Sequence, residues 1–315
     1  MADMIEEKII VGEGTQYPLQ GCLTLPSQAT EPMPAVVFVH GSGSSNMDEK
    51  VGKLTPFRDL AHGLAAHGIA SVRYDKRTFT HAIKLLRDKS LTVTVKEETI
   101  EDALLATALL RKDPRIDPHK VFIIGHSMGA MLAPRIEAEG GNYRGLILLA
   151  GTPRRLEEVL IEQNNKVLAE MKGLLRRLVE KQIKKLNGAF DGLYEMSDEE
   201  AKAKKMGGGV TLYYFKEMGD PPVEFYLRSL TKPILVMQGE KDFQVSADTD
   251  FRLYKEILAD HPDASCILYE NLNHAFVPSV YGSISKAKQE YSIEQHIGEN
   301  VIADIARWIL RVSET

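Results

Sequence analysis

A serine between two glycines is the feature of this chain with the clearest chemical potential: residues 125–129 read Gly-His-Ser-Met-Gly. An apolar run at residues 121–124 precedes the motif, and a helix-like run at 130–133 follows it. A strand, a G-x-S-x-G turn and a helix form a nucleophile elbow, in which a tight turn lifts the serine hydroxyl above the end of a sheet. The pattern therefore predicts that Ser127 is a nucleophile, and a serine nucleophile needs a base, an acid and an oxyanion site elsewhere in the chain.

Two loops further along the chain carry the candidates for the acid and the base. Asp242 follows a strand-like apolar run, and so does His274. His274 alone among the nine histidines follows the last predicted strand in a loop, so we expect it to be the base. We expect Asp242 to be the acid, because its rivals Asp248 and Asp250 fall where capping of the next helix is the more ordinary role.

The oxyanion site is predicted from the turn after an early strand. A buried-strand run ends in the turn 40–43, His-Gly-Ser-Gly, and enzymes with a nucleophile elbow place one oxyanion donor at such a turn. We expect the backbone N–H of Ser42 to act together with the N–H of Met128. His40 is expected to have a structural role, and the ring of His126 is expected to point away from the chemistry of the serine.

These roles define an acyl transfer through a covalent intermediate. His274 would take the proton of Ser127 as the hydroxyl attacks an ester carbonyl, and Asp242 would hold the imidazole in its productive tautomer. Water would then hydrolyse the acyl-enzyme with the same base. The reaction needs no metal or cofactor, and the sequence shows no His and Cys cluster with metal-ligand spacing. The chain order Ser, Asp, His is that of the α/β-hydrolase fold.

The alternation of apolar runs predicts an α/β fold around these residues. After a starting hairpin, strands alternate with amphipathic helices, which is typical of a mostly parallel sheet with helices on both faces. We expect eight strands, with the active site at their carboxyl ends. Residues 1–153 and 231–315 are expected to form this core.

The alternation stops between residues 154 and 230. Apolar residues recur there at helical spacing: Leu156, Leu160, Val167, Met171, Leu174, Leu178 and Ile183. A structureless loop of this length is implausible in a compact domain, so we expect an inserted helical cap over the sheet. Within it, the glycine-rich segment 201–209 is expected to be a mobile connection. Tyr213, Tyr214 and Phe225 are candidates for the substrate pocket, with packing of the cap onto the core as the open alternative.

Two charged segments each have a binding and a structural interpretation. The basic residues within 176–185 could face an anionic partner, but a solvated helix face is favoured because acidic residues interleave. The segment 73–77, Arg-Tyr-Asp-Lys-Arg, could bind a charged substrate. Ion pairs that fix a loop are the more ordinary interpretation.

Composition excludes several classes of protein. The chain has 315 residues and a hydrophobic content of 43%, and its net charge of −5 argues against a general nucleic-acid binder. No apolar stretch approaches the roughly 20 residues that span a bilayer, and the acidic N-terminus does not resemble a secretory signal. Two cysteines, expected to be reduced, suit a cytoplasmic protein. We expect a small ester as its partner. A homo-oligomer is possible, but the sequence does not predict the oligomeric state.

The chain resembles the α/β-hydrolase superfamily over nearly its whole length. More narrowly, its motifs are similar to those of a bacterial carboxylesterase group related to dienelactone-hydrolase-like and cinnamoyl-esterase-like enzymes. The motifs are the turn 40–43, Asp48-Glu49, Pro56-Phe57, the segment 73–77 and the elbow 125–129. The resemblance implies hydrolysis of short-chain acyl esters by Ser127, Asp242 and His274, with a helical cap after the sixth strand. Dienelactone hydrolases themselves use a cysteine and dehalogenases an aspartate at the elbow, so Ser127 departs from both.

Other functions remain open at this point. A thioesterase or a small peptidase could use the same three residues, and the cap lysines would suit a coenzyme A thioester. A peptidase of this fold usually carries a large propeller domain, for which this chain has no room. A non-catalytic ligand receptor on a hydrolase scaffold is disfavoured, because all three candidate residues are retained.

Overall fold

The computed structural model describes residues 4–28 and 31–314. The strands in chain order are β1 Met4–Val11, β2 Leu19–Pro26, β3 Met33–Val39, β4 Ala70–Tyr74, β5 Ile116–His126, β6 Leu146–Leu149, β7 Lys205–Gly207, β8 Val210–Thr211, β9 Ile234–Gly239 and β10 Ala264–Tyr269. Eight of them form one sheet in the order β1-β2-β4-β3-β5-β6-β9-β10. The pairs β1–β2 and β2–β4 are antiparallel and the others are parallel. The expected mostly parallel eight-stranded sheet is confirmed.

Helices connect the strands and cover both faces of the sheet. In chain order they are α1 Pro56–Ala66, α2 Arg77–Thr80, α3 Ala82–Arg87, α4 Glu101–Lys112, α5 Met128–Ile136, α6 Leu156–Glu170, α7 Gly173–Gly188, α8 Asp198–Ala203, α9 Leu212–Gly219, α10 Val223–Ser229, α11 Arg252–Ile257, α12 Ala287–Glu290 and α13 Glu299–Glu314. Short π-helical turns at Lys96–Ile100, Glu137–Gly141 and Ala247–Phe251 adjoin α4, α5 and α11, and a 3-10 turn at Ile284–Lys286 precedes α12.

The central strands are apolar throughout because both of their faces are covered. Along β3, Val37 and Val39 point into one cluster, shared with residues of α4 and α5. Val36 and Phe38 point into the other cluster, which includes side chains of α1 and α13. Side chains of a strand alternate between its faces, so a strand buried on both sides becomes a continuous apolar run. The sequence signal for these strands therefore has a direct physical cause.

The parallel pairing places the candidate site residues on one edge of the sheet. Strands β3, β5, β9 and β10 run in the same direction, so their carboxyl ends lie together. The turn 40–43, Ser127, Asp242 and His274 each follow one of these ends. Loops that leave the carboxyl ends of such strands are where ligands bind in open α/β sheets.

Between β6 and β9 lie α6 to α10 and the small hairpin β7–β8; the segment 154–230 that contains them is called the insertion below. The predicted apolar helical face is divided between α6 and α7, because the chain is extended at Met171. The side chain of Leu174 lies outside the described residues. In the segment 201–209, expected to be a mobile connection, α8 continues to Ala203 and the hairpin β7–β8 follows. The three glycines at 207–209 all have positive φ, which suits a tight hairpin turn.

Two smaller expectations concern membrane segments and the cysteines. Within the described ranges, no helix is long and apolar enough to cross a bilayer. Cys22 is buried and Cys266 is half-buried, and both are free thiols.

Candidate active site

Ser127 stands at the sharp turn between β5 and α5. Its φ of 53° and ψ of −117° lie in a region that costs a non-glycine residue about 1–3 kcal/mol. The flanking glycines are required by close packing. A Cβ at Gly125 would lie 2.2 Å from the carbonyl oxygen of Gly129, and one at Gly129 would lie 2.1 Å from that of Val39. The turn thus has the tight, strained geometry of a nucleophile elbow.

His274 and Asp242 form a buried imidazole–carboxylate pair. Nδ1 of His274 lies 2.7 Å from Oδ2 of Asp242, and Gln238 donates to the same oxygen at 2.8 Å. The other oxygen accepts the backbone N–H groups of Gln244 at 2.8 Å and Val245 at 2.9 Å. With a carboxylate as its partner, Nδ1 carries the ring proton of the neutral imidazole, so Nε2 is left as the acceptor.

The loop that carries His274 is held by its own hydrogen bonds. The side chain of Asn273 donates to Glu290 at 3.0 Å and accepts a backbone N–H of the loop at 3.0 Å. Glu290 in turn accepts the N–H groups of Val280 and Tyr281 at 3.0 and 2.7 Å. A buried carboxylate with several donors fixes the backbone around it, so the position of the imidazole is set by the loop.

The elbow lies against this loop. Nε2 of His126, the residue before Ser127, donates to the carbonyl oxygen of His274 at 2.9 Å, and the two imidazole centroids are 4.8 Å apart. Among the hydrogen bonds of the described residues, none joins the Ser127 hydroxyl to His274. Such contacts are often long in a free enzyme and shorten when substrate binds. The structure therefore joins two of the three predicted residues directly and brings the third to the same edge.

The turn 40–43 lies beside the serine. A Cβ added at Gly41 would be 3.1 Å from Cβ of Ser127. The N–H of Gly41 is already used, because it donates to Oε1 of Glu49 at 2.7 Å. No hydrogen bond in the described part of the chain uses the N–H of Ser42 or Met128. Met128 begins α5, where an N–H has no partner within the helix, so both predicted oxyanion donors are available.

A buried polar network contacts the turn 40–43 through the carbonyl oxygen of Gly41. Nζ of Lys76 lies 2.9 Å from the carbonyl oxygen of Gly41 and 2.9 Å from Oε1 of Glu98. The hydroxyl of Tyr214, on α9, donates to the other oxygen of Glu98 at 2.5 Å and lies 3.4 Å from Sδ of Met128. Burial and the Glu98 carboxylate raise the pKa of Tyr214 well above its usual range. The network thus ties the insertion to the core beside the elbow.

Arg73 and Arg77, at the two ends of the segment 73–77, are also held in ion pairs. Arg73 contacts Glu6 at 2.6 Å and Asp48 at 2.9 Å, and Arg77 contacts Asp102 at 2.5 Å. Both guanidinium groups are buried. The contacts therefore support the interpretation that ion pairs fix this loop.

Two histidines near the site differ in their roles. His40 is buried and lies 3.0 Å from the carbonyl oxygen of Asn46 through Nε2, and burial lowers its pKa to about 4, which supports the structural role predicted for it. The prediction for His126 is wrong, because its ring contacts His274 and lies 2.9 Å from Glu49. Spacing could not reveal this pair, although Glu49 belongs to a motif that carries the family resemblance.

The three aromatic candidates for the pocket lie in different surroundings. Tyr214 is buried beside Met128. Tyr213 is half-buried, with the ammonium of Lys202 4.4 Å from its ring centroid. Phe225 is 58% exposed and packs edge-on against Tyr226. Of the three, Tyr214 contacts a residue of the elbow.

A metal centre needs several ligating side chains close together. Within residues 4–28 and 31–314, no group of three or more His, Cys, Asp or Glu side chains could hold a metal ion.

Comparisons with known proteins identify the family and the fold. The family described as serine aminopeptidase, S33, matches residues 30–278. Esterase EstD of Thermotoga maritima is 33% identical over 309 residues, which are 98% of this chain and 68% of that protein. Est1E from Butyrivibrio proteoclasticus has a TM-score of 0.59 at 14% identity, covering 98% of this chain and 99% of that chain. A dienelactone hydrolase from Anabaena variabilis ATCC 29413 has a TM-score of 0.53 at 16% identity, covering 98% of each chain.

At such identities the solved structures show the fold alone, and the family rests on the sequence matches. Together they confirm the resemblance to the α/β-hydrolases. This chain therefore belongs to the serine aminopeptidase S33 family, and it is a serine hydrolase of the α/β-hydrolase superfamily.

Proposed function

We propose that this chain is a carboxylesterase that hydrolyses small or short-chain acyl esters through Ser127, His274 and Asp242. The observation that carries the proposal is the buried 2.7 Å contact between Asp242 and His274, on loops at the same sheet edge as the strained turn of Ser127. The name of the relative EstD, an esterase, supports an ester as the substrate.

In the proposed mechanism each residue acts through a stated atom. Asp242 holds the proton on Nδ1 of His274, so Nε2 accepts the proton of Ser127 as Oγ attacks the ester carbonyl. The oxyanion receives hydrogen bonds from the N–H groups of Ser42 and Met128, and each such donor is typically worth about 3 kcal/mol in the transition state. The imidazolium then returns its proton to the leaving alcohol, and water hydrolyses the acyl-enzyme by the same route.

The insertion 154–230 is proposed to act as a cap over this site. Gln163 of α6 donates to the carbonyl oxygen of Gln244, in the Asp242 loop, at 3.0 Å. Glu170, at the end of α6, accepts the hydroxyl of Ser283 at 2.6 Å, in the segment that follows His274. Because the insertion also reaches the elbow through Tyr214, it contacts the surroundings of all three proposed residues. Tyr213, Tyr214 and Phe225 stay the proposed pocket residues, with Tyr214 the best supported.

The buried carboxylates favour an ester over a peptide with a free amino terminus. An aminopeptidase needs an acidic group to bind the substrate ammonium. Glu49 is engaged by Gly41 and His126, and Glu98 is engaged by Lys76 and Tyr214. Neither carboxylate beside the oxyanion turn is therefore available to a substrate.

A coenzyme A thioester is a second candidate substrate, supported by the surface of α7. Its basic side chains are all exposed: Arg176, Arg177, Lys181, Lys184 and Lys185. Glu180 is the acidic residue of the same helix. Such a positive surface would attract the phosphates of coenzyme A. Free thiols at both cysteines agree with the proposed cytoplasmic location, where such thioesters occur.

The test is a series of initial rates on p-nitrophenyl esters from acetate to dodecanoate, with acetyl-coenzyme A and an aminoacyl p-nitroanilide in parallel. We expect turnover of the short esters, a steep fall beyond butyrate, and loss of at least about 1,000-fold in Ser127→Ala. Ser292→Ala is the matched control, because its exposed hydroxyl bonds only locally to Gln289 and its activity should equal that of the wild type. Faster hydrolysis of the thioester or the anilide than of any ester would contradict the proposal.

A further inference from the structure

A second buried carboxylate–imidazole pair, Glu49 and His126, lies beside the proposed catalytic pair. Oε2 of Glu49 is 2.9 Å from Nδ1 of His126, and each side chain is only 11% exposed. Nε2 of His126 donates to the carbonyl oxygen of His274 at 2.9 Å. The other oxygen of Glu49 accepts the N–H of Gly41 at 2.7 Å. The pair therefore contacts the backbone on both sides of Ser127, at the oxyanion turn and at the His274 loop.

The partners of His126 determine its protonation. A carbonyl oxygen only accepts hydrogen bonds, so Nε2 must carry a proton. A bare Nδ1 at 2.9 Å from a carboxylate oxygen would set two lone pairs against each other, which favours a second proton on the ring. Neither Nδ1 nor Oε2 takes part in a hydrogen bond of good geometry, so the 2.9 Å contact acts as an ion pair. His126 is thus an imidazolium whose counter-ion is Glu49.

The charged and titratable groups around the pair agree with this assignment. Burial disfavours charge on His126, but the Glu49 carboxylate and the His274 carbonyl outweigh it and raise the pKa of His126. Burial likewise opposes charge on Glu49, yet the His126 imidazolium and the N–H of Gly41 hold its pKa below the usual range. His40 itself is neutral at pH 7, because burial lowers its pKa to about 4. The Asp242 carboxylate also favours the positive charge of His126.

The backbone at Glu49 shows that this carboxylate is held in place. Its φ is 51°, in the left-handed region that a glutamate rarely adopts. Its N–H donates to the carbonyl oxygen of Asn46 at 2.9 Å. A conformation of this kind persists where the surrounding contacts over-determine it, and here those contacts are Gly41 and His126.

We propose that Glu49 and His126 are positioning residues that fix the oxyanion turn and the His274 loop relative to each other across Ser127. They act through Gly41 and His274 and do not contact the ester. The kinetic consequence rests on the proposed esterase function, whereas the protonation of His126 can be read without any turnover.

Variants of the two residues separate charge from contact. Glu49→Gln keeps an acceptor for the N–H of Gly41 and offers an amide N–H to a neutral His126, so its kcat should fall by less than about tenfold. Glu49→Leu removes both contacts and should lower kcat on p-nitrophenyl acetate by about 100-fold, the size of losing one oxyanion donor. Its KM should change by less than about threefold, because the pair does not touch the substrate. The double variant Glu49→Leu with His126→Phe should have a kcat no lower than that of the slower single variant, because the effects of substitutions within one contact network are not additive.

Asp102→Asn is the matched control. Asp102, on α4, is a buried carboxylate that pairs with the buried Arg77 of α2, so its loss should lower the melting temperature as the Glu49 variants do. Its kcat should stay at the wild-type value, since neither residue contacts the oxyanion turn or the His274 loop. Should Glu49→Leu fail to fold, His126→Phe carries the kinetic test.

The second readout is the ¹⁵N resonance pattern of the His126 ring at pH 7. We expect two protonated ring nitrogens in the wild type and one in Glu49→Gln. A folded Glu49→Leu variant with kcat within about threefold of the wild type would overturn the proposal and leave the esterase function standing. If the wild type hydrolyses no ester, the proposed function fails instead, and a neutral His126 ring in the wild type would then overturn the positioning pair as well.

Discussion

Replacing Asp242 with asparagine tests how the acid sets the tautomer of the base. This carboxylate accepts four hydrogen bonds. Its Oδ1 accepts the backbone N–H groups of Gln244 and Val245, and its Oδ2 accepts from the side chains of Gln238 and His274. If the amide oxygen faces the backbone, the new NH₂ group faces Nδ1 of His274 and forces the ring proton onto Nε2. If the amide is reversed, its NH₂ group meets two backbone donors instead.

The size of the effect follows from these two arrangements. With the proton on Nε2, the imidazole cannot accept the proton of the serine, and such a tautomer error lowers kcat by about 10⁴-fold. At 1.36 kcal/mol for each factor of ten, the barrier rises by about 5.4 kcal/mol. Stability should fall less, by about 1–3 kcal/mol, because at least one buried donor then faces another donor.

The assay is steady-state hydrolysis of p-nitrophenyl butyrate, with urea unfolding of each variant. Gln238→Met is the matched control: it removes one donor to the same oxygen of Asp242 and leaves the contact with His274. Its kcat should fall by less than about tenfold. A folded Asp242→Asn variant that also keeps kcat within about tenfold of the wild type would refute the assignment of the acid.

Three further predictions concern packing, the insertion and pH. Gly129→Ala places a Cβ 2.1 Å from a backbone carbonyl oxygen and should destabilise the protein by at least about 3 kcal/mol in urea unfolding, whereas Gly188→Ala, with its nearest neighbouring atom 3.6 Å away, should be neutral or slightly stabilising. Tyr214→Phe removes a donor to the buried Glu98 carboxylate and should lower the free energy of unfolding by about 1–3 kcal/mol; an unchanged melting temperature would show that this hydrogen bond does not hold the insertion. Burial lowers the pKa of His40 to about 4. Between that value and the ordinary histidine pKa of about 6.5, the unfolded chain therefore binds more protons than the folded one. The free energy of unfolding should rise with pH across this window by up to about 1.4 kcal/mol per pH unit. Urea unfolding from pH 4 to 8 checks this, and a His40→Asn variant with an unchanged slope would contradict it.

The sequence was sufficient for the parts of the site that follow directly from strands. Central strands buried on both faces are continuous apolar runs, so their carboxyl ends can be located by inspection. Ser127, Asp242 and His274 each stand just beyond such an end, which explains why the sequence pattern alone can single them out. Parallel pairing then brings them to one edge, and the 2.7 Å contact of Asp242 with His274 follows from that placement.

The remaining parts of the site depend on contacts that no local pattern encodes. Glu49 lies in an irregular loop with a left-handed backbone, and its partner His126 is 77 residues away in the chain. Gln238 is buried inside a strand, and the role of its polar side chain becomes evident from its hydrogen bond to Asp242. The aromatic ring of Tyr214 makes it a pocket candidate, but the contact it makes with the core is the hydrogen bond from its hydroxyl to Glu98.

The insertion illustrates the limits of periodicity in another way. Apolar spacing is enough to indicate its helices, because helix packing repeats with the turn of the helix. The same spacing does not reveal the break at Met171 or the hairpin at 205–211. A glycine run is compatible with a loose connection and with a tight turn alike, and the pairing of Lys205 with Thr211 depends on neighbours in three dimensions.

The most direct test of the central claim is covalent labelling of the intact protein with a fluorophosphonate, followed by mass spectrometry of its peptides. The account predicts one adduct per chain, located on Ser127, and labelling slowed by at least about 1,000-fold in His274→Ala. An adduct on another residue, or no adduct at all on the folded wild-type protein, would contradict the assignment of Ser127 as the nucleophile.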